Sequence, residues 1–416
     1  MKFISLSSAA LLASTALGTV VPRVGKIDYN GFKALRITLP QGSESLKAEV
    51  ENLVTHVLNP GKSDQLDVVV APGHVEALHA LVGESKIISE DVGAALADEG
   101  EMQAYAVPSE SWFTAYHAYA DHVQFLQDLQ AGYTSNSAIF TVGTSVQGRV
   151  LTGIHIWGSG GPNSKPAVII HGNVHAREWI TSMTTEYFAW QLLTQYASDA
   201  SVKSLVDKFD FYLTPIVNPD GFVYTQTTDR LWRKNRQTVS GNSCLGRDIN
   251  RNWPYKWEAT GGASTNPCSE TYKGVAAGDA PENRGLVSQV NQLRDSRGIR
   301  LYLDMHSYGQ YILSPYGYDC NLRPENNAQH QSLAQRAAAA IRAVSGTAYT
   351  YGPSCSTLYA TTGSSTDYTD VTGNATYSFT YEVRDKGTYG FTLPANQVQP
   401  TVRETWAGVV SMLQDA

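Results

Sequence analysis

His175-Ala176-Arg177-Glu178 and, far downstream, His306-Ser307-Tyr308 are the two stretches of this sequence that decide its fold and its chemistry. The first follows an apolar run at 167–170 that is typical of a buried strand, and it precedes a helical pattern. A His and a Glu three residues apart at such a junction can turn both side chains toward one ion. With a remote His they predict two imidazoles, one carboxylate and an open position, which is typical of catalytic zinc. The alternative for an isolated pair is a surface His beside a surface Glu.

Further motifs follow in order between about residue 112 and the C-terminus. The full set is HAREWI (175–180), NPDGF (218–222), RLWRKNR (230–236), DINRNW (248–253), CSETYKG (268–274), HSY (306–308), LY (358–359) and YEVRDKGTYGF (381–391). Each motif alone is modest, but the ordered set is very specific. The chain resembles the metallocarboxypeptidases of the carboxypeptidase A family. Its upstream region resembles, more loosely, the activation segment of their secreted proenzymes.

The resemblance implies a catalytic domain at 112–416 of the α/β class, in which a mixed, twisted sheet is flanked by helices. Apolar runs at 167–170, 209–217, 301–305 and 378–383 indicate strands, and helices are predicted at 178–196, 327–344 and 400–414. Functional groups are expected at the strand ends, as in other open α/β sheets.

Residues 19–111 are predicted to form a separate activation prosegment. Strands at 32–37, 66–70 and 86–89 alternate with helices at 45–57 and 75–81, a pattern typical of a small ferredoxin-like open sandwich. The Ala- and Glu-rich stretch 94–104 predicts a connecting helix. Pro108-Ser109-Glu110 then predicts an exposed junction that suits proteolytic cleavage.

Length and composition indicate a secreted chain of two units. The chain has 416 residues, of which 42% are hydrophobic, so it can bury a large core. Residues 1–18 are predicted to be a signal peptide, because Lys2 precedes a short apolar stretch and small residues. That stretch is too short to span a membrane. We therefore expect an extracellular, monomeric protein.

The net negative charge of the chain is concentrated in its N-terminal region. Residues 19–110 contain seven Lys and Arg against fourteen Asp and Glu, whereas residues 111–416 contain 23 against 24. A nearly neutral catalytic region gives no reason to expect nucleic acid or a membrane as a partner. The partners implied by the resemblance are peptide or protein C-termini and an activating protease.

The cysteines are Cys244, Cys268, Cys320 and Cys355. An even number in a secreted chain indicates two disulfides, for which three connectivities are possible. Zinc binding by the cysteines is the alternative, although no CxxC spacing favours it. The resemblance implies the pair Cys244–Cys268, which leaves Cys320–Cys355. A glycosylation sequon begins at Asn374.

The resemblance also implies a ligand set and its support. One zinc ion per chain would be held by His175, Glu178 and His306. Asp248 would hydrogen-bond His175 and fix its tautomer; the alternative for Asp248 is an Asx turn. His171 is predicted to be either a core residue or a support for a ligand, rather than a ligand itself.

Catalytic roles are implied for two further residues. Glu382 would take a proton from zinc-bound water as general base and pass it to the leaving amine. Arg233 would stabilise the oxyanion that forms on the scissile carbonyl. The alternative for Glu382 is a strand residue paired with Arg384.

Substrate-binding roles follow from the same resemblance. Asn250, Arg251 and Tyr359 would receive the terminal carboxylate of the substrate. The outer subsites would include Arg177, Tyr308 and Phe391. The residues implied for the side-chain pocket are Leu313, Gly317, Ser354, Thr366 and Thr380.

Thr366 stands where relatives specific for basic residues carry an acid. A Lys or Arg side chain would be buried unpaired there, which is costly. The sequence therefore predicts a preference for neutral hydrophobic or aromatic C-terminal residues. Ser354 and Thr366 make the pocket more polar than is usual in relatives that prefer hydrophobic or aromatic residues.

The leading hypothesis is a secreted zinc exopeptidase that is made as a latent zymogen. One alternative is a peptide-binding relative that has lost catalysis, against which Glu382, Arg233 and the complete ligand set argue. Another is a zinc amidase acting on non-peptide C-terminal conjugates. The group that binds the terminal carboxylate favours a peptide-like substrate over that alternative.

Overall fold

The computed structural model describes residues 26–40, 42–61, 64–105 and 107–416. The signal peptide predicted at 1–18 lies outside the described residues. Within the described part of the chain, two separate sheets form, one in residues 26–98 and one in residues 107–416. We call these parts the N-terminal unit and the C-terminal unit.

The N-terminal unit contains an antiparallel sheet of the strand order β2-β3-β1-β4 among its described residues. Its elements follow one another as β-α-β-β-α-β, the order of the ferredoxin-like motif, with one more helix at the end. They are β1 (Lys33–Thr38), α1 (Glu44–Leu53), β2 (His56–Val57), β3 (Gln65–Val70), α2 (Val75–Val82), β4 (Lys86–Ser89) and α3 (Val92–Asp98).

Two predicted helices of this unit are shorter than expected. The helix predicted at 45–57 ends at Leu53, because the chain becomes extended at Val54 and pairs with β3 as β2. The connecting helix predicted at 94–104 ends at Asp98. Gly100 adopts φ 90°, a conformation that favours glycine and cannot continue a helix.

Both faces of the small sheet are covered. Leu35, Ile37 and Val68 pack on the side of α1 and α2. Ala34 and Val69 point the other way and form a cluster with residues of the C-terminal unit. Because β-strand side chains alternate between faces, β3 is buried along almost its whole length.

The C-terminal unit is built on a mixed sheet of the order β11-β10-β12-β9-β7-β8-β6-β5 in its described residues. Strands β12, β9, β7 and β8 are mutually parallel, whereas β5, β6 and β10 pair antiparallel with their inner neighbours. The α/β class and the mixed sheet predicted from the sequence are confirmed. The elements are α4 (Tyr119–Gly132), β5 (Ser137–Thr144), β6 (Val150–Ile156), β7 (Ala167–His171), α5 (Trp179–Thr194), α6 (Ala200–Lys208), β8 (Asp210–Thr214), α7 (Pro219–Thr227), α8 (Pro281–Ser296), β9 (Ile299–Ser307), β10 (Tyr311–Ser314), α9 (Asn327–Ser345), β11 (Thr350–Pro353), α10 (Ser354–Thr357), α11 (Ser365–Val371), β12 (Tyr377–Val383) and α12 (Val398–Asp415).

Helices cover the large sheet on both faces. Val168 and Ile170 face a core that includes α5, α9 and α12, while Ala167 and Ile169 face a second core on the side of α8. A parallel strand covered on both faces has a continuous apolar run, which is the pattern of β7.

Both cysteine pairs are disulfide-bonded. Cys244 is joined to Cys268, and Cys320 is joined to Cys355 in α10, four residues before Tyr359. Asn374 of the sequon is exposed in the turn before β12. None of the helices in the described ranges combines the length and the apolar character that a membrane span requires.

Candidate active site

The candidate site lies at the carboxyl ends of the parallel strands β7, β9 and β12. His175 and Glu178 follow β7, and Glu178 stands immediately before α5. His306 is the penultimate residue of β9, and Glu382 lies beside it in the parallel ladder with β12. Neighbouring strands that end at one edge therefore bring these distant residues together.

His175, Glu178 and His306 form a compact, buried group. One ligand atom from each lies within 4.8 Å of the others. The Nδ1 atoms of the two imidazoles are 3.0 Å apart, and the Glu178 oxygens lie 2.9 Å from Nδ1 of His175 and 3.1 Å from that of His306. The ligands of a tetrahedral zinc, at about 2.0–2.2 Å from the ion, are separated by roughly 3.4 Å. Three such donors with nearly this spacing fit a zinc ion.

A carboxylate supports each imidazole from behind. Asp248 Oδ1 lies 3.0 Å from Nε2 of His175, and Asp304 Oδ2 lies 3.0 Å from Nε2 of His306. Each Nε2–H can donate to its carboxylate, which leaves Nδ1 as the lone-pair atom that faces the centre. Asp248 also accepts from the backbone N–H of Asn250, so the Asx turn and the support of His175 coexist.

Asp304 was not predicted from the sequence. A signal for it exists, because Asp304 lies two residues before His306 on β9 and strand side chains at i and i+2 share a face. Its carboxylate also accepts a hydrogen bond from the Ser365 hydroxyl. Of the two roles expected for His171, the structure shows the core residue: it is fully buried, and its ring lies near Tyr302 and Gln289.

The charged groups at this edge, which are buried except for the partly exposed Glu382, leave a deficit of positive charge. Glu178, Asp248, Asp304 and Glu382 are four carboxylates, and the guanidinium groups beside them are Arg233 and Arg251. With neutral imidazoles, the ionised set carries a net charge of −2, which a divalent cation would balance. Buried charge without compensation is costly, so the charge balance also fits a zinc ion.

Arg233 joins the groups around His175. Its Nη2 donates to Asp248 Oδ2 at 2.8 Å, and its Nη1 lies 4.0 Å from Glu178 Oε1. Burial acts against the charge on Arg233, but the nearby carboxylates raise its pKa. Burial also disfavours the charged form of Glu382 and raises its pKa to about 8, whereas the nearby His306 lowers that pKa. A cation held by the three ligands would act as His306 does.

Most of the predicted substrate-binding residues line one cavity of about 320 Å³ together with the three candidate ligands. The lining residues predicted from the sequence are Asn250, Arg251, Tyr308, Leu313, Ser354, Tyr359, Thr366, Thr380 and Phe391. Asn250 is fixed by its Oδ1, which accepts from the Ser365 N–H at 2.8 Å. Arg251 is fixed by its Nε, which donates to the Gly262 carbonyl at 2.6 Å.

Two predicted residues do not line this cavity. Gly317 lies behind it, and its backbone N–H donates to Asp367, which does line the cavity and was not predicted. Arg177 is fully buried, because the Phe391 ring stacks on its guanidinium and carbonyl oxygens of the N-terminal unit accept its hydrogen bonds.

The N-terminal unit forms part of the cavity wall. Leu58, Asn59 and Pro60 are part of its lining. Arg177 Nη2 donates to the Val57 carbonyl at 3.1 Å. The backbone at Gly61 packs so closely on Tyr359 that an added methyl group would lie 2.0 Å from its ring.

A family model described as zinc carboxypeptidase matches residues 122–408. The chain belongs to the zinc carboxypeptidase family. It is 44% identical to a metallocarboxypeptidase A of Trichophyton tonsurans, over 99% of this chain and 98% of that protein. It is 35% identical to carboxypeptidase A1 of Bos taurus, over 97% of each chain.

Solved structures of the family are similar to the whole arrangement. The thrombin activatable fibrinolysis inhibitor gives a TM-score of 0.83 at 27% identity, with 92% of this chain and 98% of that one covered. The carboxypeptidase A of Helicoverpa armigera gives 0.78 at 27% identity, with 94% and 98% covered. The chain is therefore a zinc metallocarboxypeptidase with the mixed α/β fold of its family, and the family implies a metal cofactor.

Replacing Asp304, whose carboxylate hydrogen-bonds His306, tests whether this contact strengthens zinc binding. Asp304→Asn should weaken zinc binding about 10- to 100-fold, because the imidazole loses its charged hydrogen-bond partner. Competition with a chromophoric chelator at fixed pH measures the affinity. Asp295→Asn, which changes an exposed carboxylate near the end of α8, is the matched control and should bind zinc normally. Unchanged affinity in Asp304→Asn would remove the assigned role.

Proposed function

We propose that this chain is the precursor of a secreted zinc exopeptidase that removes C-terminal residues from peptides and proteins. The observation that carries the proposal is that His175, Glu178 and His306 line the same cavity as Glu382, Arg233, Asn250, Arg251 and Tyr359. The amino-terminal residues 1–18 would direct the precursor to secretion.

His175, Glu178 and His306 would hold one zinc ion through two Nδ1 atoms and a carboxylate. When bound, zinc supplies a Lewis acid that polarises the scissile carbonyl and lowers the pKa of a water molecule. Glu382, the neighbour of His306 in the sheet, takes a proton from the attacking water and delivers it to the leaving amine. Arg233, held in place by Asp248, donates to the oxyanion.

Asn250, Arg251 and Tyr359 would define the enzyme as an exopeptidase. The guanidinium of Arg251 pairs with the terminal carboxylate of the substrate, the amide of Asn250 adds a donor, and the Tyr359 hydroxyl closes over both. An internal peptide bond offers no carboxylate at this position. Binding energy from the carboxylate therefore positions only the last peptide bond for attack.

Replacing the general base tests the catalytic assignment. Glu382→Gln should keep zinc but lose turnover by a factor of at least about 10² to 10⁴, since the amide cannot accept the proton. The measurements are zinc content and kcat on a blocked dipeptide after activation. Glu258→Gln, at an exposed position, is the control and should be fully active. Near-normal kcat in Glu382→Gln would assign the base to another group.

The side-chain pocket favours a neutral C-terminal residue. Thr366 and Thr380 hydrogen-bond to each other through their hydroxyl oxygens, 2.6 Å apart. Asp367 is the acid of the pocket wall, but it is 1% exposed and accepts hydrogen bonds from the Gly317 and Tyr318 N–H groups. Burial raises the pKa of Asp367 to about 7. Its carboxyl is therefore a structural acceptor rather than a partner for a substrate cation.

Specificity follows from the cost of an unpaired buried cation. The activated enzyme should cleave substrates ending in Phe, Tyr or Leu with a kcat/KM at least about 10²-fold higher than those ending in Lys or Arg. Thr366→Asp should raise kcat/KM for the basic residues, and Asp367→Asn should leave the preference for neutral residues in place. Comparable values for Phe and Arg in the wild-type enzyme would contradict this pocket assignment.

The N-terminal unit would keep the precursor latent by covering the cavity and by occupying Arg177. A second set of buried polar contacts, away from the cavity, joins the N-terminal unit and Glu99, the residue that follows α3, to the C-terminal unit. Glu99 accepts from Arg230 Nε at 2.8 Å, and the Tyr29 hydroxyl donates to Asp229 at 2.7 Å. His56 lies between the carboxylates of Asp229, at 3.3 Å, and Glu270, at 3.2 Å.

His56 makes the contact between the two units dependent on pH. Burial acts against its charge, but Asp229 and Glu270 raise its pKa from 6.5 to about 9. A group with a higher pKa in the assembled state stabilises assembly fully below pH 6.5, and this stabilisation is lost as the pH rises through 9. The other titratable or charged groups around it are Tyr29 and, beyond Glu270, Arg177 and Lys234.

Dissociation of the cleaved N-terminal unit tests this contact. In the nicked protein, recovery of activity should be about 10- to 100-fold faster at about pH 9.5 than at about pH 6, because His56 has lost its proton. His56→Gln should remove most of that difference. The exposed residue His79 supplies the control His79→Gln, which should behave as wild type. An unaltered pH dependence in His56→Gln would locate the titrating group elsewhere.

A further inference from the structure

The linker between the two units has an unusual composition for a processing site. No Lys or Arg occurs between Lys86 and Arg149. The whole stretch from the last strand of the N-terminal unit to the first strands of the C-terminal unit therefore lacks these two basic residues. A protease that requires Lys or Arg at the cleaved bond has no target in this linker.

Most of the linker is fixed to the C-terminal unit. Glu99 is buried, and its carboxylate accepts a hydrogen bond from Arg230. The Gln103 N–H donates to the Tyr116 carbonyl at 3.0 Å. The Tyr105 hydroxyl donates to Asp128, and its ring lies edge-on to Trp112.

Glu101 and Met102 are the free part of the linker. Both are exposed and outside any helix or strand, and no hydrogen bond or ion pair joins them to another described residue. Met102 is 42% exposed, which is uncommon for so large an apolar side chain. Exposed segments that lack backbone hydrogen bonds are the preferred sites of proteolysis.

Sites further along the linker are less suitable. Val107 is 68% exposed, but Pro108 follows it, and most endopeptidases do not cut before proline. Glu110 is paired with Arg403, and Trp112 and Phe113 are buried in the core of the C-terminal unit. The junction expected from the sequence at Pro108-Ser109-Glu110 is thus more constrained than the stretch before Gln103.

We propose that the precursor is activated by cleavage at one of the two peptide bonds of Met102, by an endopeptidase that recognises an uncharged apolar side chain. The step adds one water across the peptide bond, leaving a carboxylate on the N-terminal unit and a new amino group on the enzyme. The mature enzyme would keep Gln103 and Tyr105 as its anchored N-terminus. This inference rests on the proposed latency.

The position of the cut can be read directly. The purified full-length chain is treated with a subtilisin-type protease, and the large fragment is sequenced from its N-terminus while activity on a blocked dipeptide is followed. We expect the fragment to begin at Met102 or Gln103 when activity rises. A fragment that begins at Val107 or later would overturn the inference.

Introduced arginines test accessibility with a single protease. Met102→Arg should be cut by trypsin directly after the introduced arginine. Ala104→Arg, whose neighbours on both sides are anchored, should be cut in the linker at least about tenfold more slowly. Equal rates would contradict the assignment of Met102 as the free position. Full activity of the untreated chain would instead overturn the proposed latency, so the two failures are distinguishable.

Discussion

The arrangement of the whole site depends on compensating four carboxylates at one edge of the sheet, three of which are buried while Glu382 is partly exposed. Glu178, Asp248, Asp304 and Glu382 cannot all stay ionised there unless positive charge lies among them. Arg233 and Arg251 supply two charges, and a divalent cation held by His175, Glu178 and His306 would supply the rest. Two of these carboxylates, Asp248 and Asp304, also hold the imidazoles in the tautomer whose Nδ1 faces the centre. Charge balance and ligand geometry are therefore met by the same side chains.

The N-terminal unit lies against the cavity at this edge of the sheet. Its sheet is covered by its own helices on one face and by the C-terminal unit on the other, so release exposes apolar surface on both partners. Its backbone at Gly61 packs on Tyr359, and its Val57 carbonyl accepts a hydrogen bond from Arg177. Tyr359, which is proposed to bind the carboxylate of the substrate, and Arg177, which the sequence assigned to an outer subsite, are thus both in contact with the N-terminal unit.

Sequence reasoning could predict the parts that follow from local pattern. Apolar runs located β7, β9 and β12, and the spacing of His175 and Glu178 indicated a common ion. Contacts between remote segments were beyond its reach: Arg177 is buried by a different unit, and Gly317 lies behind Asp367. The early end of α1 depends on pairing between β2 and β3, which no local propensity reports. Asp304 could have been found from its two-residue spacing to His306.

The most direct test of the account is a zinc titration of the activated enzyme. Zinc is removed by a chelator, added back in known amounts, and measured as bound metal per chain alongside kcat on a blocked dipeptide. The account predicts that activity is absent without metal, rises in proportion to bound zinc and saturates at one ion per chain. Full activity in a metal-free preparation, or activity that requires a second ion, would contradict it.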